Sequence, residues 1–192
     1  MSLMILGLAL FLGAHSARIF APGWRTAMVT RIGAGPWKLL NSLVSIVGFV
    51  LIIYGFAGAR QHAMVLYTPP AALRHLNALF TLLAFLLVSG AYVPRNHLKA
   101  YVGHPMVAGV KSWAFGHLLA TGMLHDVILF GSFVLWAVID FAISRRRDRA
   151  EGVVYPAGTA AGDLITVLVG VVTWAVFAFW LHQRWIGANP FV

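Results

Sequence analysis

The sequence has no cysteine in its 192 residues. This absence excludes disulfide bonds, thiolate ligation of haem, iron–sulfur clusters and covalent attachment of a c-type haem. Only five residues are acidic, whereas carboxylate-bridged di-metal sites, carboxylate proton relays and paired-acid catalysis all gather carboxylates inside one site. The sequence also lacks a GxSxG motif, a Walker loop and a dinucleotide-binding fingerprint.

Charge is scarce and apolar residues are abundant. Charged residues make up 10% of the chain and hydrophobic residues 60%, while a soluble domain has roughly a quarter of its residues charged. An integral membrane protein fits this composition. The net charge of +9 comes from basic residues in short segments between apolar runs, a pattern typical of charges that set topology and meet anionic lipid headgroups. We therefore expect the lipid bilayer, and no nucleic acid, as a partner.

A helix that spans a bilayer needs about 20 mostly apolar residues. The N-terminal stretch lacks the basic region and the cleavage site of a signal peptide, so it is predicted to be a first span. A short interfacial helix, Trp24–Ile32, is predicted to follow it. The predicted fold is an all-α integral membrane bundle of about six transmembrane helices, forming a single domain over residues 1–192. The predicted spans are residues 3–20, 37–59, 71–93, 105–122, 127–143 and 163–183.

The basic residues are distributed unevenly between the two sides of these spans. The loops after the first, third and fifth spans hold ten, and the opposite side holds three. The positive-inside rule therefore predicts that the odd-numbered loops are cytoplasmic and that both termini are periplasmic. No internal repeat supports an inverted-repeat transporter. The ten are Arg18, Arg25, Arg31, Lys38, Arg95, Lys99, Arg145, Arg146, Arg147 and Arg149, and the three are Arg60, Arg74 and Arg184.

Histidine is the residue type that remains for chemistry. Four of the eight histidines fall in loops or near span ends, where a solvated ring is the simplest interpretation: His62, His97, His125 and His182. The other four lie within predicted spans or cap them: His15, His75, His104 and His117. Because ionisable groups are costly inside a bilayer, these four are the functional candidates.

The depth of each candidate differs. His117 is predicted to lie roughly 18 Å from the start of its span, and His15 roughly 7–8 Å from the end of its own. His104 precedes Pro105, which suits the first position of a helix, so His104 is interpreted as a cap at the membrane surface. Span boundaries read from sequence carry errors of about 2–4 residues, so depth alone leaves the choice of a ligand pair open.

Neutral imidazoles, without thiols and almost without acids, are the ligand set of b-type haem, bound by axial histidines from facing helices. Copper or zinc held by histidine alone would require three or four converging rings. The two haem propionates need cations. Arg18 shares a helix face with His15, and Lys111 shares one with His104, so these two are candidate propionate partners; ordinary snorkelling is the alternative.

Three motifs together resemble the NnrU family of bacterial membrane proteins: GAHS at 13–16, RHL at 74–76 and HPMVAGVKSWAFGHLLATG at 104–122. The resemblance covers about Leu3 to Asp140 and continues weakly to the C-terminus. It implies a protein of the bacterial cytoplasmic membrane associated with nitrite and nitric oxide respiration. The same superfamily includes zeta-carotene isomerase, a membrane haem b protein with histidine ligands.

The resemblance implies haem b, with His15 and His117 as axial ligands of the iron. It places His104 and His75 on motif positions, as groups near the substrate or supporting the ligands. It also implies an isomerase or redox role on a small or lipophilic, isoprenoid-like substrate. The isomerases have a cysteine near the second ligand where this chain has Ala114, which puts carotenoid activity in doubt. Four candidate histidines would also suffice for two haems.

Two alternatives remain from the sequence. One is a non-catalytic accessory protein for the assembly or transport steps of denitrification, in which the histidines are polar contacts within the bundle. The other is a scaffold like that of membrane methyltransferases, whose RHPxYxG element resembles GHPMVAG at 103–109 without its arginine and tyrosine. Glycines at 48, 55, 109 and 116 permit close helix packing within one chain or between copies, so a homo-oligomer is left open.

Overall fold

The chain is helical over most of its length in the computed structural model, which describes residues 1–191. The last long helix, α8, continues through a π-helical segment, Phe177–Leu181, into α9. The helices are α1 (Ser2–Phe20), α2 (Pro22–Ile32), α3 (Ala34–Arg60), α4 (Ala72–Tyr92), α5 (His97–Val102), α6 (Pro105–Ala120), α7 (Leu124–Glu151), α8 (Ala160–Val176) and α9 (His182–Ile186).

Five helices are long and apolar enough to cross a membrane: Ser2–Phe20, Ala34–Arg60, Ala72–Tyr92, Leu124–Glu151 and Ala160–Ile186. Large apolar side chains project from them without protein cover. Leu43, Ile46 and Phe49 on α3, for example, are each more than half exposed. In water such a surface would be an aggregation liability, whereas lipid covers it at no cost. The chain is a multi-pass membrane protein, and the predicted all-α membrane bundle is confirmed.

The helix in the region of the fourth predicted span is shorter than the other five. Residues 105–122 were predicted to cross, and α6 covers Pro105–Ala120, 16 residues. Pro105 occupies its first turn with His104 at the N-cap, as predicted. At 1.5 Å per residue, α6 is roughly 24 Å long, less than the hydrocarbon thickness of a typical bilayer. Both ends of α6 therefore lie close to polar surroundings.

Two other features differ from the prediction: the end of α7 and an additional helix, α5. The fifth span was predicted to end at Ile143, but α7 continues to Glu151. The arginines of residues 145–149 are thus helical, because arginine is a good helix former and its charge does not end a helix. The loop before α6 contains the unpredicted helix α5, where the buried Asn96 side chain accepts a hydrogen bond from the Lys99 amide at 2.7 Å and so caps the helix.

The chain folds into two compact units. Unit 1 comprises residues 1–66 and 123–132, so it holds α1, α2, α3 and the first turns of α7. Unit 2 comprises residues 67–122 and those from 133 onward. Within unit 1, the main-chain amide of Leu124 donates to the Met64 carbonyl at 2.8 Å, which joins the first part of the α3–α4 connection to the start of α7.

In unit 1, α1 and α3 pack antiparallel along a line of glycines. A Cβ atom on Gly48 would meet the backbone nitrogen of Phe11 at 2.7 Å, and one on Gly7 would meet that of Ile52 at 2.6 Å. A Cβ on Gly55 would likewise collide with the backbone of Met4, which is fully buried. Small residues allow the two backbones to approach closely, and dispersion contacts then stabilise the pair in lipid.

In unit 2, α6 and α8 both pack antiparallel on α4. Gly109 lies against the Ala84 carbonyl, and Gly116 lies against Phe80. Ser112 donates to the Phe80 carbonyl at 2.7 Å, and the Trp174 indole of α8 donates to Thr81 at 3.1 Å. The glycines at 48, 55, 109 and 116 are therefore all used in packing within the chain.

The glycine seam of unit 1 can be tested by substitution. We expect Gly48→Leu to lower the free energy of unfolding by about 1–3 kcal/mol or more, because the side chain would enter the space held by the Phe11 backbone. Gly58→Leu on the same helix is the matched control, since a Cβ there meets nothing within 4 Å. Thermal unfolding in detergent measures both variants. Equal melting temperatures for the two would contradict this packing.

Candidate functional site

His15 is an exposed residue of α1 whose ring is fixed by the backbone of its own helix. Its Nδ1 lies 2.7 Å from the Phe11 carbonyl oxygen, and its ring centroid is 4.4 Å from that of Phe11. A carbonyl oxygen only accepts hydrogen bonds, so Nδ1 carries the proton and the lone pair lies on Nε2. This is the tautomer that ligates a metal through Nε2, with the other nitrogen oriented by a backbone carbonyl.

A cavity of about 370 Å³ adjoins His15 in unit 1. Its walls come from α1, α2 and α3, and they carry three cationic side chains: Arg18, Arg25 and Lys38. Trp37, Asn41 and Ser42 complete the polar part of the wall, and none of the described residues that line it is acidic. Such a cavity concentrates positive potential and favours an anionic group.

The structure therefore brings Arg18 and His15 together, as their spacing in the sequence predicted. Lys111, the second cation predicted to serve a propionate, lies in unit 2 on α6. Its ammonium group is 4.8 Å from the centre of the Phe141 ring on α7. This cation–π contact is favourable for a partly desolvated lysine. The contact is a packing role for Lys111, and its part in anion binding stays a prediction.

His117 lies in the last turn of α6 and is half-buried. Its Nδ1 is 2.8 Å from the Trp113 carbonyl oxygen, so Nδ1 again carries the proton and Nε2 the lone pair. The Trp113 ring lies against it with centroids 5.3 Å apart. The buried Ala114 and Gly116 beside it are small, which lets α6 approach α4 closely.

His15 and His117 thus share one arrangement on two different helices. His15 belongs to unit 1 and His117 to unit 2, and the prediction that both ligate one iron remains a prediction. Over residues 1–191, no group of three or more His, Cys, Asp or Glu side chains is placed to hold a metal ion.

His104, at the N-cap of α6, belongs to a polar cluster that the sequence did not indicate. Its Nε2 lies 2.7 Å from Oδ2 of Asp148 on α7. The Tyr155 hydroxyl donates to the same oxygen at 2.5 Å and lies 3.4 Å from the His104 nitrogen. Gly103 makes room for this cluster, because its φ of 76° is left-handed and a Cβ would meet the Arg145 and Tyr155 side chains. The surface cap expected at His104 is in fact tied to the end of α7.

Two further histidines contact acidic side chains. His97 is exposed, as predicted, although it starts helix α5 rather than lying in a loop, and its Nδ1 lies 2.6 Å from Oδ2 of Asp163 on α8. His125 is only 4% exposed, packs on Phe56 with ring centroids 5.1 Å apart, and lies 3.5 Å from Asp126. Asp163 could not be identified from sequence as the partner of His97, because the two residues are 66 positions apart.

The other three histidines, His75, His62 and His182, lie at or next to helix ends. His75 is exposed in the first turn of α4 and stays a candidate from its motif position alone. His62 is exposed after the end of α3, as predicted. His182 follows the π-helical segment, and its Nδ1 lies 2.7 Å from the Ala188 carbonyl oxygen. His182 lies near the end of the last long helix, Ala160–Ile186, as predicted.

These features define the class of the molecule: a multi-pass, all-helical membrane protein in which several histidines contact backbone carbonyls or carboxylates. The chain matches the family described as NnrU protein over residues 3–190, nearly its whole length. It therefore belongs to the NnrU family, and the resemblance seen in its motifs is confirmed. No curated protein matches the chain, and no solved structure matches it.

Tyr155 offers a test of the polar cluster. Burial, and then the bond to the Asp148 carboxylate, raise the pKa of Tyr155 above its usual value. A raised pKa in the folded state means that the neutral phenol stabilises the fold below about pH 10, and that this contribution is lost as pH rises through the higher folded value.

We expect Tyr155→Phe to cost about 1 kcal/mol near neutral pH, since the bond to a carboxylate is partly solvated. The difference from the native chain should shrink above about pH 10. Tyr92→Phe is the control, because Tyr92 is 75% exposed. Unfolding measured between pH 7 and pH 11 gives both profiles, and a difference that stays constant with pH would rule out the Tyr155–Asp148 bond.

Proposed function

We propose that this NnrU protein binds haem b, with His15 and His117 as axial ligands. The observation that carries the proposal is the shared hydrogen bond of the two rings. Each donates its Nδ1–H to the carbonyl four residues earlier, so both rings have the tautomer and the orientation in which a histidine ligates a metal through Nε2. Most histidines that ligate a metal are oriented by such a partner.

The donor set also fits the charge of haem. Haem b carries two carboxylates, and the cavity beside His15 has Arg18 among its cationic wall residues. An arginine can hold a carboxylate through two parallel hydrogen bonds, which fixes its orientation as well as its charge. Lys111 remains the second candidate cation, although its contact with Phe141 would have to be exchanged for the carboxylate.

Haem bound in this way would supply one-electron redox chemistry or a Lewis-acidic iron. The chain's own residues have simpler tasks. The Phe11 and Trp113 carbonyls hold the rings in one tautomer and orientation, and Arg18 anchors the anionic edge of the cofactor. Both candidate ligands project from helices, which position a group more rigidly than loops do.

The role we propose is an isomerase or redox function on a small or lipophilic substrate, or a step in nitrogen-oxide respiration in a bacterial cytoplasmic membrane. The uneven distribution of the basic residues supports an orientation in which the odd-numbered loops are cytoplasmic and both termini are periplasmic, and this orientation is part of the proposal. An accessory, non-catalytic role is the second candidate. It is favoured by His97, His104 and His125, which hold helix ends and buried positions through their contacts.

The absorption spectrum of the purified protein separates these roles. We expect a Soret band and, after reduction, the sharp α and β bands of a six-coordinate haem with two imidazole ligands. His117→Ala and His15→Ala should each lose haem or change these bands, because each removes one ligand. Added imidazole should restore the bands in the alanine variants, which a merely misfolded protein would not allow.

His62→Ala is the matched control, since His62 is exposed outside the helices. A colourless native protein, made with haem available, would contradict haem binding and favour the accessory role. Equal losses in His62→Ala and His117→Ala would contradict the ligand assignment.

A further inference from the structure

Two cavities of unit 1 adjoin each other and differ in chemistry. The first is the cationic cavity of about 370 Å³ beside His15. The second, of about 190 Å³, is lined mainly by apolar residues that include Gly13, Trp24, Leu40 and Val44. Ala14, Ala17, Trp37 and Asn41 line both. Together they form one groove, here called the α1–α3 groove, with a cationic end and an apolar end.

The cationic end contains more positive charge than the haem proposal uses. Arg18, Arg25 and Lys38 come from α1, α2 and α3 respectively, and within residues 1–191 no carboxylate lines the cavity with them. Like charges held near one another by three separate helices repel, and an anion between them removes that repulsion. Arg25 and Lys38 are therefore the two cations of the cavity that are available to a second anion.

The apolar end has the features of a membrane–water interface. The Trp24 and Trp37 rings meet edge to face with centroids 5.5 Å apart, and Trp24 is 55% exposed. Tryptophan is enriched at the level of the lipid headgroups, where its ring is apolar and its N–H meets polar surroundings. Leu40, one turn after Trp37 on α3, is 53% exposed. The groove thus leads from an anion site to a surface suited to a hydrocarbon chain.

We propose that the α1–α3 groove binds an anionic membrane phospholipid. Its phosphate lies between Arg25 and Lys38, and one acyl chain lies along Trp24, Leu40 and Val44. A free phosphate would use only the cationic end. A zwitterionic lipid brings its own ammonium group, which the three cations repel. A lipid of net negative charge matches both ends of the groove, and its binding does not depend on haem.

The test uses the full-length protein in nanodiscs and in detergent. Retention of phosphatidylglycerol and of phosphatidylcholine is measured by native mass spectrometry, and the haem content is measured in the same samples. The native chain should retain phosphatidylglycerol preferentially. The double variant Arg25→Gln with Lys38→Gln should bind it roughly thirtyfold more weakly, from the loss of two cations at a lipid surface. His15 and Arg18 stay unchanged in this variant.

Two further variants make the test specific. Arg31→Gln with Arg146→Gln removes the same charge from residues that do not line the groove, and it should keep the preference. Gly13→Leu fills the apolar end, because a Cβ on Gly13 meets nothing within 4 Å, and it should reduce retention of both lipids. If the double cation variant fails to fold, Gly13→Leu carries the test.

Equal retention of the two lipids by the native chain would overturn the proposal, as would equal loss in the control double variant. Inorganic phosphate tests the alternative that the cationic end binds a free phosphate ion rather than the phosphate of a lipid. Stabilisation by phosphate alone equal to that by phosphatidylglycerol would show a free-anion site and overturn the assignment to lipid. If the native chain shows no lipid preference but has the haem spectrum, the lipid proposal fails and the haem proposal stands. If it prefers phosphatidylglycerol but contains no haem, the haem proposal fails and the lipid proposal stands.

Discussion

The constraint on which the structure depends is that polar groups inside a bilayer must find their partners within the protein. The helices satisfy their backbone groups, and polar side chains then turn back onto the same helices. Ser16, Ser45 and Thr166 each donate to the carbonyl four residues earlier. His15 and His117 obey the same rule. For a hydroxyl this bond merely satisfies a donor, whereas for a histidine it also selects the tautomer and the nitrogen that can ligate a metal.

Close packing of the helices follows from a second property of lipid. Apolar surface gains little by leaving hydrocarbon, so helices associate through close contact rather than through exclusion of water. The glycines of α3 supply that contact in unit 1, and those of α6 supply it in unit 2. They place His15 on a helix seated firmly against α3, and His117 on a helix seated firmly against α4. The positions of the helices that carry the two candidate ligands thus depend on glycines at the helix contacts.

Much of the fold was predictable because apolar runs of helical length have few other outcomes. The pairing of Arg18 with His15 was also predictable, since residues three apart share a helix face. The cluster of His104, Asp148 and Tyr155 was not, because its members are 44 and 51 residues apart in sequence and Asp148 lies among arginines that suggest a different partner. His125 was misread as solvated because a histidine beside an aspartate resembles a loop, although its ring is buried against Phe56.

The end of α6 was predicted two residues too late. Hydropathy continues through Thr121 and Gly122, but the main chain at Thr121 is extended and the helix has ended at Ala120. α6 is therefore shorter than the five helices that are long enough to cross a membrane. Its two histidines lie at opposite ends of the helix. His104 begins it with a carboxylate partner, and His117 lies in its last turn with a carbonyl partner. The Nε2 of His104 thus contacts a carboxylate, whereas His117 has the tautomer in which Nε2 can ligate a metal.

The most direct measurement of the central claim is the identity and amount of haem in the purified protein. Acid–acetone extraction followed by the pyridine haemochrome assay should yield haem b, released without covalent attachment and close to stoichiometric with the chain. Recovery of no haem, or of only a trace after expression with ample haem, would contradict the account.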